Sequence, residues 1–344
     1  MITMKEIAKI TGHNASTVSR ALNNSNLVKK ETRLLIQEVA KSHNYLPDIQ
    51  ARSLIMGKSK LIGVIIPELV SNYFADIISG IESVLATEGY SILIAKSGFE
   101  EEGIIENFNT LISRRVDGMI IESGAFAFDP FVLSHHNVPI VYTGVNRDVI
   151  KQDMDAILSA DTSDSYIFTD NNAFDDIAEY LTGLGHRRIG FLSDNLTSHR
   201  LKSLRRSISM QGLDLPDHYA AVGAERYERG GYLQMQKLLS LKQPPTAVMA
   251  GTDNLAIGAV RAAKEHDLRI PEDISIIGYD NLTFGDYLYP SLTSVDQFTR
   301  RIGEAAAESL LRGIHAEKRN GEIHVISTGL VVKESTGPVR KAGG

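Results

Sequence analysis

The 344-residue chain contains no cysteine. Disulfides, a thiolate nucleophile and a Cys-based zinc site are therefore excluded, and the composition fits a reducing compartment. It also lacks a long apolar run: the opening MITMKEIAKITG is punctuated by charge. That segment reads as neither a signal peptide nor a membrane span, so a cytoplasmic location is expected. Catalytic signatures are missing too. There is no P-loop, no G-x-S-x-G elbow and no H-E-x-x-H, and Gly251-Thr252-Asp253 lacks the spacing of a phosphate-cradling loop. The sequence thus predicts no enzyme, no catalytic cofactor and no metal centre. His135 and His136 have no convincing metal partner set and are expected at the surface.

What is present is a charge asymmetry inside a net charge of −6. Residues 1–60 hold ten Lys or Arg against four acids, a net of +6, which leaves −12 for the remainder. A basic head on an acidic body points to a polyanion as partner of the head, although a solvated lysine-rich surface gives the same count.

The head reads as three short helices. Thr3-Met4-Lys5-Glu6 forms a capping box ahead of Ile7, Ala8 and Ile10. Gly12 supplies a sharp turn, and Asn14 caps a second helix, Ala15 to Leu22, whose inner face is Val18, Ala21 and Leu22. A third helix from about Lys30 to Asn44 is expected to bury Leu34, Leu35, Ile36 and Val39. The outer face of the second helix carries short polar side chains and one arginine. Short side chains let a helix approach base edges, and a guanidinium can bond guanine at two atoms, although a structural three-helix bundle shows the same pattern. The stretch Pro47 to Ser59 allows a helix of two turns, too short to stand alone. It is either a charged linker or a hinge that folds on DNA.

These pieces, TMKEIAKITG, STVSRALNN, ETR, NYLP, ARSL and GKSKLIGVIIP, occur in the order and spacing of the lac-repressor (LacI/GalR) family, which the chain resembles. The resemblance implies a helix-turn-helix DNA-binding domain (1–46), a hinge helix and linker (47–60), and a two-lobed effector-binding and dimerisation domain (61–344). It places Ala15, Ser16 and Arg20 at base-reading positions and Asn14, Thr17 and Ser19 at mainly backbone-contacting ones. It also implies that paired hinges enter the minor groove, with Ala51 at the contact and Leu54 wedged between base pairs. Four departures stand out. Lys29 replaces a common serine N-cap, losing the cap while offering a phosphate contact. His13 replaces an apolar turn residue. Asp48 stands where relatives often have Asn, and Gln50 where the hinge is commonly apolar.

From Leu61 apolar strands alternate with amphipathic helices: LIGVIIP, SILIA, DGMIIES and PIVYTG in a first half, then YIFTD, RIGFLS, TAVMAG and DISIIGYD in a second. This predicts an α/β body of two periplasmic-binding-protein-like lobes behind an all-α head. Ligands of such sheets lie beyond the carboxyl ends of the strands. The resemblance continues through GLGHRRIGFL, GTDNLAIGAVRAAKEHDLRIPEDISIIGYDN and PSLTSVDQ, covering residues 3–335. It implies effector contacts at Tyr73, Phe74, Asn172, Arg200, Thr252 and Asp280, with Asp170 and Arg226 as further candidates. Aromatics suit a sugar's apolar face, and paired polar groups suit its hydroxyls. Alternatives stay open: Asp280 as a helix cap, Tyr73 and Phe74 as core or dimer contacts, His186 as a structural residue.

The expected protein is a transcriptional regulator, a repressor controlled by a sugar or sugar phosphate, whose partners are double-stranded operator DNA and a second copy of the chain. The KESTGPVRKAGG tail has no leucine heptads, so a dimer is expected. The competing class is a sugar receptor of periplasmic type, which would share the body but not the head. Arg147, Arg200 and Arg226 leave room for an anionic sugar. Leu54→Ala is expected to reduce operator bending and affinity while sparing effector affinity. Unchanged bending in a circular-permutation assay would remove the wedge assignment.

Overall fold

The computed structural model describes residues 2–45, 57–124, 133, 136–144, 164–170, 172–317 and 321–340. Most of the hinge, with Asp48, Gln50, Ala51 and Leu54, lies outside these residues, as do His135, Arg147 and the helix expected before PIVYTG. The chain divides into two units, Met1–Ser59 and Lys60–Gly344.

The first unit holds α1 (Met4–Thr11), α2 (Ala15–Leu22) and α3 (Lys30–Ser42). Thr3 and Glu6 form the capping box in both directions, and Gly12 ends α1 with φ of 69°. Asn14 caps α2 by accepting from the Thr17 N–H at 2.8 Å. Ile7, Ala8, Val18, Ala21, Val28, Ile36 and Ala40 make the core. The expectation for α3 is corrected: Leu34 and Leu35 are 55% and 46% exposed, and Val39 only packs at the edge. Three successive helical residues sweep most of a turn, so only Ile36 and Ala40, four apart, share the inward face.

The second unit contains two six-stranded sheets. The first-lobe sheet is built from β1 (Leu61–Ile66), β2 (Ser91–Lys96), β3 (Gly118–Glu122), β4 (Ile140–Thr143), β5 (Ser165–Thr169) and β11 (Ile323–Ile326). Its order is β11-β5-β4-β3-β1-β2, and every pairing is parallel. The second-lobe sheet is built from β6 (Ile189–Asp194), β7 (Ala220–Gly223), β8 (Ala247–Ala250), β9 (Ser275–Asp280), β10 (Thr293–Asp296) and β12 (Gly329–Val331). Its order is β12-β10-β9-β8-β6-β7, with β12 antiparallel at the edge. YIFTD, expected in the second half, pairs instead with β4 and β11 and closes the first lobe.

Helices cover both faces of each sheet, which is why the strands read as continuous apolar runs. In the first lobe Ile62, Val64 and Ile66 face α4 (Asn72–Leu85) and α10 (Thr299–His315). Ile65, Met119 and Ile121 face α5 (Glu101–Ser113). In the second lobe α6 (Ala173–Gly183) and α7 (His199–Met210) cover one face, α8 (Tyr227–Leu239) and α9 (Asp253–Glu265) the other. Each fully buried Ile, Leu or Phe contributes about 1.5–3 kcal/mol. The helix pairs cross at mutual glycines. A Cβ on Gly80 would meet the Arg300 carbonyl at 2.1 Å, and one on Gly303 the Ile77 carbonyl at 2.0 Å. Gly231 and Gly258 make the same close approach between α8 and α9.

The chain passes between lobes three times among the described residues: β5 to α6, β10 to α10, and β11 to β12. Lys60 fastens the start of the first lobe. Its N–H donates to Asp117 at 3.0 Å, its Nζ donates to the Glu88 carbonyl at 3.0 Å and lies 4.0 Å from the Tyr90 ring centroid.

Two histidines differ in outcome. His136, expected at the surface, has a side chain only 8% exposed and sits 3.3 Å from Asp164, because Phe108 packs edge-on against it. His186 is structural: its Nε2 lies 3.0 Å from the Gly337 carbonyl and its Nδ1 2.9 Å from the Thr246 hydroxyl. The carbonyl needs a donor, so Nε2 carries the proton and Nδ1 accepts. This ring pins residues 335–339, which also bond Ile276, Ser275 and Leu184, to the second lobe. Burial holds the His186 pKa below the ordinary 6.5. The unfolded chain therefore takes up the proton first, and stability is lost as pH falls below the unfolded value. The drop in Tm between about pH 7.5 and about pH 5.5 is expected to be smaller in His186→Gln than in the natural chain. Equal slopes would show that another group titrates.

Candidate functional sites in the head and the cleft

In the head, Val18 and Ala21 point into the core. The helical repeat then turns Ala15, Ser16 and Arg20 outward, all exposed, with Thr17 and Ser19 half-buried beside them. The Asn14 side-chain oxygen Oδ1 accepts from the Thr17 N–H and the Ser16 hydroxyl, both at 2.8 Å, so its first role is to hold α2. Lys29 is exposed at the start of α3 and makes no side-chain cap, as expected for a lysine there.

In the body, a cleft of about 1140 Å³, including its solvent-open part, lies between the lobes. Its polar lining follows from topology. Glu68 and Ser71 come after β1, Phe99 after β2, Gly124 after β3, Gly144 after β4 and Thr169 at the end of β5. Opposite them stand Asp194 at the end of β6, Thr252 after β8, Asp280 at the end of β9 and Gln297 after β10. The carboxyl ends of both sheets thus meet in one space, the place where open parallel sheets bind ligands.

Asp280 is buried, accepts from the Gln297 amide at 2.6 Å and lies 4.0 Å from the Arg200 guanidinium. It caps no helix: its φ of 124° ends β9, and the following turn begins from Leu282. Burial pushes its pKa up to about 8, with Arg200 opposing and the buried Asp253 adding to the rise. Asp253 supports it from below, accepting from the Leu282 N–H at 2.7 Å and the Ser294 hydroxyl at 2.6 Å. Arg200 lies 3.8 Å from the Tyr279 ring centroid and donates to the Gly251 carbonyl. Arg226 bonds Glu68 and Asp194. Phe74 is both core and cleft wall: 5% exposed, it packs edge-to-face with Tyr73 at 5.1 Å and Phe99 at 6.2 Å. Thr252 caps α9 through the Leu255 N–H at 3.2 Å.

Five of the six residues nominated for the effector, Tyr73, Phe74, Arg200, Thr252 and Asp280, line this cleft. Asn172 does not appear in the lining: its amide donates to Asp170 at 2.7 Å, and both residues belong to the first crossover. Sequence reasoning missed Glu68, Phe99, Asp194 and Gln297. Their position just past the end of an apolar strand was the available signal.

A helix-turn-helix head and a two-lobed α/β body with an interlobe cleft define a ligand-responsive DNA-binding regulator. Residues 3–48 match bacterial regulatory proteins of the lacI family, and residues 178–336 match the periplasmic binding protein-like domain. The ribose operon repressor of Haemophilus influenzae is 30% identical over 97% of this chain and 98% of its own length. The chain belongs to the lacI family and is a transcriptional regulator. The lac repressor dimer bound to operator and the anti-inducer ONPF shares the fold, with a TM-score of 0.82 at 24% identity over 98% of this chain and 99% of that one. So does the Enterococcus faecium family member with bound ribose, with a TM-score of 0.68 at 24% identity over 81% of this chain and 100% of that one. Two of these proteins are repressors and the third is a transcriptional regulator; none is named as an enzyme. Among the described residues no helix is long and apolar enough to cross a membrane, and no cluster of His, Asp and Glu is arranged for a metal.

Arg20→Ala is expected to relax specificity at one base of each half-site, by roughly 1–3 kcal/mol. A uniform loss across all duplexes in a competition assay would make Arg20 a phosphate contact instead.

Proposed function

We propose that the chain is a dimeric cytoplasmic repressor whose operator affinity is set by a small neutral polyhydroxylated ligand, of the size and chemistry of a pentose, held between the lobes. The observation that carries the ligand class is the state of the two cleft arginines among the described residues. Arg226 is engaged by two carboxylates, and Arg200 is spread over the Tyr279 ring with Asp280 nearby. Among the described residues, a phosphate would arrive beside Glu68, Asp194 and Asp280 with no uncommitted cleft guanidinium to receive it. Neutral hydroxyls suit the site better: Asp280, Thr252, Asn254 and Gln297 offer donors and acceptors, while Phe74 and Phe99 offer apolar faces. The ribose operon repressor and the ribose-bound neighbour support the same class.

Two heads are needed for two half-sites, which favours a symmetric dimer. A ligand that prefers one lobe angle shifts the population competent for DNA, and a coupling of about 1–3 kcal/mol changes operator affinity by about 5–150-fold.

The defining experiment selects bound sequences from random duplex DNA with full-length protein at stated salt, then titrates D-ribose and ribose 5-phosphate by calorimetry. One near-palindromic motif and ribose binding at least about tenfold tighter than its phosphate are expected. Tighter binding of the phosphate would refute the neutral-ligand reading, and salt-sensitive binding without a motif would refute the regulator.

Asp280 adds a pH signature. A hydroxyl donating to its carboxylate favours the ionised form, so ligand binding releases a proton wherever the free site is protonated. Affinity is expected to rise from about pH 6 and level off above about pH 8. Asp280→Asn should flatten that profile as well as weaken binding; an unaltered profile would mean that Asp280 does not touch the ligand.

A further inference from the structure

Arg226 stands where the lobes meet. From the second lobe its guanidinium makes a two-pronged contact with Glu68 of the first, Nη1 to Oε2 at 3.0 Å and Nη2 to Oε1 at 3.3 Å. Its Nε donates back to Asp194 of the second lobe at 3.3 Å. The guanidinium carbon lies 4.2 Å from the ring centroid of Phe99, a first-lobe residue, and 4.7 Å from that of Tyr227. The pair is well shielded, with side chains 29% and 12% exposed for Arg226 and Glu68. Tyr227 holds a φ of 55°, a conformation that a non-glycine residue adopts only when its surroundings enforce it. The strained turn fixes the direction in which Arg226 leaves the start of α8.

We infer that Arg226 is a positioning residue, a latch that joins the lobes across the cleft and so sets the balance of lobe angles on which effector binding acts. The planar fork accounts for the geometry: two parallel bonds to one carboxylate fix orientation as well as distance, which an ammonium cannot do. Asp194 and the Tyr227 ring hold the fork ready on the second lobe, so Glu68 and the Phe99 face are captured or released together as the lobes move. Opening the cleft strips a shielded carboxylate of its cation, which biases the resting population towards the latched form. A ligand that binds the latched form then meets a larger competent fraction, and its apparent affinity rises in proportion. The proposal deepens the reading of the cleft as an effector site, but its test requires neither DNA nor ligand.

Because the chain has no cysteine, two introduced ones are unique label sites. Ser113→Cys on α5 and Ser209→Cys on α7 are exposed positions in the first and second lobes. Spin-labelled full-length protein, diluted into excess unlabelled protein, gives the distance distribution between lobes. Glu68→Gln and Arg226→Gln are each expected to move the distribution to longer separations, and the double variant to move it no further than either alone. Glu68→Gln leaves the Arg226–Asp194 contact intact within its lobe, so it decides the matter if Arg226→Gln fails to fold. A distribution in Glu68→Gln that matches the parent, or shifts that simply add in the double variant, would overturn the latch. Loss of the operator motif with an intact latch would instead fault the regulator.

Discussion

The carboxylate of Asp170 holds the two lobes together at their pivot. It accepts from the backbone N–H and the hydroxyl of Thr328, each at 2.9 Å, and from the backbone and side-chain N–H groups of Asn172 at 3.3 and 2.7 Å. Burial alone would raise its pKa, but donors from Thr328, Ser327 and Asn172 outweigh that and hold it low. Hydrogen bonds to a charged group contribute about 1.5–3 kcal/mol each. Asp170 lies on the first crossover and Thr328 on the third, both running from the first lobe to the second, so two chain passages are clamped at a single point. The facing carboxyl ends of the sheets, and the cleft they enclose, exist because this junction brings the lobes edge to edge.

Much of this was legible in the sequence because local chemistry and global fold agree. Thr3, Gly12 and Asn14 are caps whose signals act over three or four residues, and all three cap as read. Apolar runs such as LIGVIIP and DISIIGYD announce buried parallel strands. The errors came where a residue's partner is far along the chain. YIFTD looked like the opening of the second lobe, yet its neighbours are β4 and β11, the latter more than 150 residues away. Asn172 stays a proposed ligand contact, with its amide held on Asp170 beside the pivot. Leu34 and Leu35 were assigned to the core by hydrophobicity, which the helical repeat contradicts. Glu68 and Asp194 carry no local motif; only the topology brings them to one guanidinium.

The cleft is polar without being strongly charged in either sense. Arg226 is neutralised in place by Glu68 and Asp194, Arg200 rests on a ring face and a carbonyl, and the buried Asp280 carboxyl group is pushed towards the protonated form. Such a surface gives little long-range steering and relies on short hydrogen bonds and ring faces, which read the arrangement of hydroxyls rather than net charge. The head is the opposite: its sequence holds an excess of basic side chains and its second helix has an exposed face, a combination suited to phosphate attraction first and base contacts second.

The glycine crossings between α4 and α10, and between α8 and α9, carry a mechanical consequence. Backbones that touch without intervening side chains leave no room for sliding, so each lobe resists shear and behaves as a stiff arm. The three crossovers lie at the carboxyl ends of the strands, whereas Leu61, fixed by Lys60, lies at the opposite end of β1. A six-residue strand spans about 20 Å, so a rotation of roughly 10° about the crossovers displaces that end by about 3 Å. The body therefore has mechanical advantage: small hydroxyl-scale adjustments in the cleft emerge as a several-ångström stroke where the chain leaves towards the head.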